Sequence, residues 1–185
     1  AGVASRLRML ADDAEALAGS WRSGRIQLDG ARVALLGPVN AGKSTLFNAL
    51  LGRTRALVSP EAGTTRDVVE GSVQWDGVSL TLLDTAGLRD APGEIEAAGM
   101  ALARELRAEV DLHLVVLPAH LPLGPEGRAA LAEVVDLPHR IVLAQVDRGS
   151  GCVLPPDSGS AIVVSAHTGE GLSTLQAELR ASLGA

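Results

Sequence analysis

Gly37-Pro38-Val39-Asn40-Ala41-Gly42-Lys43-Ser44 fits the pattern Gly-x-x-x-x-Gly-Lys-Ser/Thr with no mismatch. The residues before it, Val33-Ala34-Leu35-Leu36, are apolar and suit a strand, and those after it, from Thr45 to Leu51, suit a helix. A glycine-rich turn between a strand and a helix is the setting in which this pattern binds phosphate. Gly37 and Gly42 permit backbone angles and close approaches that a Cβ would block. The N–H groups of the loop then converge as an anion nest at the positive end of the helix. Lys43 adds a cation for the β- and γ-phosphates, and the Ser44 hydroxyl suits Mg²⁺. A strand–loop–helix unit of this kind predicts an α/β fold.

The rest of the chain keeps that alternation. Val68 to Trp75, the turn Asp76-Gly77 and Val78 to Leu83 predict a hairpin. Leu112 to Leu117 is a continuous apolar run, as in a central parallel strand, and Ile141 to Val146 and Ala161 to Val164 predict two more strands. Helices are predicted over Thr45 to Leu51, closed by Gly52, and over Glu94 to Glu109, Glu126 to Val135 and Leu172 to Leu183. The whole reads as a mostly parallel six-stranded sheet flanked by helices, with ligand loops at the strand C-terminal ends. Near the N-terminus, Val3, Leu7, Leu10, Ala14 and Leu17 form a heptad-like stripe on a helix. So short a helix must pack on the domain or belong to a helical bundle, and the bundle is the preferred reading. Gly19 to Gly30 reads as a linker and turn. Residues 1–25 are therefore assigned to the end of a helical domain and its linker, and 26–185 to the nucleotide domain. The chain starts at Ala1 rather than Met, so a fragment of a longer protein is expected.

Composition narrows the class. The 185 residues suffice for a core without staples. A net charge of −6 argues against this piece gripping nucleic acid by itself. A single cysteine, Cys152, excludes a disulfide framework and agrees with a reducing cytosol. No apolar run reaches the ~18 residues of a membrane helix and no signal peptide is visible, so a cytoplasmic protein without membrane contact is expected. The core must be aliphatic, since Trp21, Trp75 and Phe47 are the only aromatics.

Two further motifs separate nucleotide classes. Asp84-Thr85-Ala86-Gly87 follows the third predicted strand. There the Asp84 carboxylate can hold Mg²⁺ through a water, and the Gly87 N–H can bond the γ-phosphate. Thr64 and Thr65 lie between the two motifs, in a loop from Ser59 to Arg66 without apolar periodicity. A threonine hydroxyl on Mg²⁺ would make that loop a nucleotide-dependent switch.

Asn40-Ala41-Gly42-Lys43-Ser44, Gly63-Thr64-Thr65-Arg66-Asp67 and Asp84-Thr85-Ala86-Gly87-Leu88-Arg89 together resemble the bacterial tRNA-modification GTPases (MnmE or TrmE). The resemblance covers about residues 26 to 183. The last two, Gly63-Thr64-Thr65-Arg66-Asp67 and Asp84-Thr85-Ala86-Gly87-Leu88-Arg89, also occur in the ribosome-assembly GTPases of the Der type. The acidic segment Asp90 to Gly99 is similar to that of the tRNA-modification family and separates the two. The resemblance implies a Ras-like GTPase domain with a P-loop NTPase fold, GTP and GDP as ligands, and Mg²⁺ on Ser44, Thr65 and Asp84. It also implies K⁺ on Asn40, with hydrolysis stimulated by potassium and by face-to-face dimerisation of GTPase domains. Catalysis would fall to Glu96, which orients the attacking water, with Lys43 and Thr65; Glu94 is the alternative carboxylate by position. The nucleotide would be held by Asn40, Ala41, Gly42, Lys43, Ser44, Thr45, Thr64, Thr65 and Gly87, and at the base by Asp147, Ser165 and Ala166. A partner modification enzyme and tRNA would engage other domains of the full protein.

At the base-reading end the chain departs from the family. Where Asn-Lys-x-Asp is usual it has Ala144-Gln145-Val146-Asp147, and where Ser-Ala-Lys is usual it has Ser165-Ala166-His167. Asp147 keeps the carboxylate that accepts from guanine N1–H and the 2-amino group, and the Ala166 N–H can meet O6. Loss of the asparagine and the lysine predicts nucleotide binding weaker by ~1–3 kcal/mol. His113, His120 and His139 have no ligand-gathering spacing, and Cys152 sits in a Gly/Ser/Pro-rich loop without chemistry. Two alternatives to a tRNA-modification GTPase stay open: a ribosome-assembly GTPase of Der or Era type, and a nucleotide-binding scaffold with little turnover.

Overall fold

The computed structural model describes residues 3–52, 69–75, 77–84 and 109–184. Within them lie six strands: β1 (Ala31–Leu36), β2 (Val69–Trp75), β3 (Val78–Asp84), β4 (Leu112–Pro118), β5 (His139–Ala144) and β6 (Ala161–Val163). They form one sheet in the order β2-β3-β1-β4-β5-β6. The helices among these residues are α1 (Val3–Asp29), α2 (Lys43–Gly52), α3 (Pro125–Glu133) and α4 (Leu172–Leu183). Only the β2–β3 hairpin is antiparallel; β1 with β3, β1 with β4, β4 with β5 and β5 with β6 are all parallel.

The sheet is covered on both faces, which is why its central strands read as unbroken apolar runs. Leu112, Leu114 and Val116 of β4 share one core with Leu46, Phe47 and Leu50 of α2 and with Leu172, Leu175, Leu179 and Leu183 of α4. Val115 and Leu117 turn to the other face and pack with Ala130 of α3 and Val134. The period of two along β4 meets the 3.6-residue period of the helices. Each fully buried leucine contributes about 1.5–3 kcal/mol from water exclusion.

The order places the site. β1 has parallel neighbours on both sides, with the hairpin strands to one side and β4 to the other. Connections leaving β1 and β3 therefore diverge, and a crevice opens at the C-terminal end of β1.

Two elements differ from expectation. The linker predicted over Gly19 to Gly30 is helical up to Asp29, in one helix running from Val3. Gly24 lies inside it and costs ~1 kcal/mol in helix propensity. Long-range contacts offset this: Ile26 is buried in the main core, and Arg25 pairs with the buried Asp111. Gly30 ends the helix with its N–H on the Ile26 carbonyl at 3.0 Å. Val3, Leu7 and Leu10 of the heptad stripe stand exposed. β5 ends at Ala144 rather than Val146, and Val146–Arg148 forms a short 3-10 turn. The helix predicted over Glu94 to Glu109 and the loop Ser59 to Arg66 lie outside the described residues, Glu109 excepted.

Candidate functional site

β1 delivers the chain to the crevice, and Gly37 turns it. Gly37 has φ 139°, and a Cβ there would lie 2.1 Å from the Val116 carbonyl oxygen of the neighbouring strand. No side chain fits, so the loop leaves β1 flush against β4. Asn40 (φ 60°) and Gly42 (φ 97°) supply the positive angles that turn successive N–H groups the same way. Ala41 is fully buried and its N–H bonds the Pro38 carbonyl at 3.3 Å, closing the turn. α2 then starts at Lys43, with Leu46 N–H on the Gly42 carbonyl at 2.8 Å.

Lys43 is buried, 8% exposed, and its Nζ donates to the carbonyls of Gly37 at 3.0 Å and Pro38 at 2.8 Å. These bonds hold the ammonium at the mouth of its own loop, where a phosphate would face it. Ser44 Oγ donates to Asp84 Oδ2 at 2.7 Å, across a separation of 40 residues. Asp84 is itself buried at the C-terminal end of β3. A hydroxyl and a carboxylate side by side at a phosphate loop are hard oxygen donors that fit Mg²⁺, whose usual sites combine one or two protein oxygens with waters and phosphate. Thr45 lies beside them, exposed on the first turn of α2 and on the cleft wall. The cleft measures about 1090 Å³, and the loop from Gly37 to Thr45 forms one wall. Gln145, Arg148, His120 and Glu126 also line it.

The base-reading end assembles from the loops after β5 and β6. Asp147 accepts a hydrogen bond from Ser165 Oγ at 2.6 Å. Ser165 is fully buried and also accepts from the Thr168 N–H at 3.1 Å. The Ser165 hydrogen bond holds the Asp147 carboxyl below its ordinary value, against a smaller opposing effect of desolvation. Its own backbone N–H, His167 and Arg148 add to the lowering. Asp147 is thus an exposed, ionised acceptor oriented by a buried serine. Ala166 follows Ser165 in the same turn, half-buried.

Ala144, where the family has asparagine, is 2% exposed and offers no polar side chain. The neighbouring Gln145 was read from the sequence only as a lost lysine. It adopts φ 62° and donates from Nε2 to the Asn40 carbonyl at 2.9 Å. Arg148 Nη1 donates to Gln145 Oε1 at 3.1 Å. Residue type alone carried no signal of this contact, which joins positions 105 apart. His120, set aside in the sequence for want of ligand spacing, lines the cleft. No group of three or more His, Cys, Asp or Glu gathers for a metal among the described residues. Thr64, Thr65, Gly87 and Glu96 lie outside the described residues.

A phosphate loop at the switch point of a parallel sheet, with a Ser–Asp oxygen pair beside its lysine, defines a P-loop nucleotide-binding domain. Residues 32–144 match the family described as 50S ribosome-binding GTPase, and the chain belongs to that GTPase family. It is similar to the tRNA modification GTPase MnmE of Myxococcus xanthus, 45% identical over 177 residues, which are 96% of this chain and 39% of the relative. To the protein of the same name from Xanthomonas oryzae it is 46% identical over 85% of this chain and 35% of the relative. The chain thus spans less than two fifths of the length of these curated relatives. Among solved structures, Era from Aquifex aeolicus, crystallised with GDP and aluminium fluoride, shares the fold with a TM-score of 0.58 and 26% identity, over 80% of this chain and 55% of that one.

Proposed function

We propose that this chain is the GTP-binding and GTP-hydrolysing domain of a tRNA-modification GTPase. The observation that carries the reading is the Ser44–Asp84 hydrogen bond beside Lys43, at the open end of β1. Those groups supply what phosphoryl transfer asks of a protein: a fixed cation, hard oxygen donors and inward N–H groups. Similarity to the MnmE relatives across nearly the whole chain supports the tRNA-modification context.

In this reading Asn40, Ala41, Gly42, Lys43, Ser44 and Thr45 cradle the phosphates, with Thr64, Thr65 and Gly87 meeting the γ-phosphate. Ser44, Asp84 and Thr65 would hold Mg²⁺, which would supply positive charge beside the β- and γ-phosphates. Asp147 takes the guanine N1–H and 2-amino group, and the Ala166 N–H takes O6. The Asn40 side-chain oxygen belongs to a K⁺ site, and Glu96 orients the attacking water. Two GTPase domains meet face to face in the active state, in the cytoplasm. Among the described residues no helix is long and apolar enough to cross a membrane. Residues 1–25 belong to a helical domain, supported by the exposure of Val3, Leu7 and Leu10 on α1. tRNA and a partner modification enzyme engage the remainder of the full protein.

Phosphate release from GTP, compared in KCl and NaCl with ATP as control, tests the proposal. Potassium-specific stimulation with GTP is the expected result, and Asn40→Ala loses it. Tight GTP binding without turnover in either salt sinks the proposal. It favours the second reading, a nucleotide-binding scaffold, whose supporting observation is the apolar Ala144 in the base-reading segment.

A further inference from the structure

Asn40 and Gln145 are the non-glycine residues with positive φ among those described, at 60° and 62°. They are also bonded to each other: Gln145 Nε2 donates to the Asn40 carbonyl at 2.9 Å. A left-handed glutamine is an unusual conformation, and this one faces the loop that holds the phosphate. Both ends of its amide are specified. The Asn40 carbonyl can only accept, so it requires the NH₂ end. The Arg148 guanidinium can only donate, so it requires the oxygen, and its Nη1 lies 3.1 Å from Gln145 Oε1. The stem packs as well. A Cβ on Gly42 would lie 3.2 Å from Gln145 Nε2 and 3.5 Å from Cγ, so glycine at 42 leaves room for this side chain.

From this geometry we infer that Gln145 is a positioning residue for the nucleotide. Its amide, held by Arg148, bolts the base-reading segment to the phosphate loop at Asn40. Arg148, three residues on, carries the positive charge of this segment and fixes which end of the amide faces Asn40. Anchoring the Asn40 carbonyl fixes the peptide whose left-handed turn aims the loop's N–H groups at phosphate. Asp147, two residues beyond Gln145, is carried on the same rigid segment. The inference rests on the GTPase reading and deepens it: base recognition and phosphate binding reinforce each other through one amide.

The test is equilibrium binding of a fluorescent GDP analogue with Mg²⁺ to the whole chain and to Gln145→Ala, Gln145→Lys, Gln145→Glu and Arg148→Ala, with thermal melting of each nucleotide-free protein. Gln145→Ala binds about tenfold more weakly, the scale of one hydrogen bond, with its nucleotide-free melting temperature kept. Gln145→Lys, which can donate to the same carbonyl, restores the affinity. Gln145→Glu, with no donor, is at least as weak as Gln145→Ala. Arg148→Ala loses about two- to threefold, because it only orients the amide. Equal affinities for wild type and Gln145→Ala, or for the Lys and Glu variants, overturn the inference and leave the GTPase reading intact. A wild-type protein that binds no guanine nucleotide overturns that reading, and the inference with it.

Discussion

The two ends of the cleft are built on different terms. At the phosphate end the functional groups are over-determined: Gly37 is pinned against β4, the buried Lys43 is held by two carbonyls, and the exposed Ser44 meets the buried Asp84. At the base end Asp147 and His167 are exposed, Ala144 has no polar group, and the amide of Gln145 carries the link to the phosphate loop. Phosphate is the harder ligand to hold, since charge must be met by fixed donors in a place water cannot easily reach. A base edge can be read by one well-aimed carboxylate.

The largest effect should come from the phosphate end. Lys43→Ala is expected to slow GTP hydrolysis by ~10²–10³-fold or more, measured as phosphate release under saturating GTP. A loss below tenfold would mean that the loop does not depend on this cation. Gly37→Ala breaks the same end through stability. With a Cβ 2.1 Å from the Val116 carbonyl, it is expected to lose about 3 kcal/mol in chemical denaturation. A wild-type midpoint would show that β1 and β4 can part at no cost.

At the base end the expected losses are smaller. In the proposed reading Asp147→Asn leaves one acceptor oxygen where two would meet guanine N1–H and the 2-amino group, and GDP affinity should fall by about 1–3 kcal/mol. The carboxamide can donate to a carbonyl at the purine 2-position, so xanthosine diphosphate should gain relative to GDP. Titration of both nucleotides against both proteins checks this. Ser165→Ala should act through pH. The folded Asp147 carboxyl sits below its ordinary value chiefly because Ser165 donates to it. The charged acceptor therefore persists as pH falls, and is lost only below the usual carboxylate range. Without the serine the carboxyl titrates nearer its ordinary value, so the acid limb of GDP binding should move to higher pH. An unmoved limb would mean that Ser165 does not set this acceptor.

How much of this was legible in the sequence follows the same division. The loop from Gly37 to Ser44, the Asp-Gly hairpin, the β4 run and the α4 stripe declare themselves in neighbouring residues, and each appears where it was read. Asp84 was placed by its distance from the phosphate loop, and the structure brings it to Ser44. What escaped reading was non-local. α1 runs on through Gly24 because Ile26 and Arg25 find partners in the core and at Asp111, 86 residues from Arg25. β5 stops at Ala144 because Gln145 turns left-handed, toward a carbonyl 105 residues away. Periodicity and propensity carry no trace of such pairs.

One titration series tests the contrast most directly: GDP, GMP and ADP, each with Mg²⁺, against the wild-type chain. The intact phosphate end and the reduced base end predict that removing the β-phosphate costs more affinity than exchanging guanine for adenine, with GDP still preferred over ADP. The reverse order, or ADP bound as well as GDP, would contradict it.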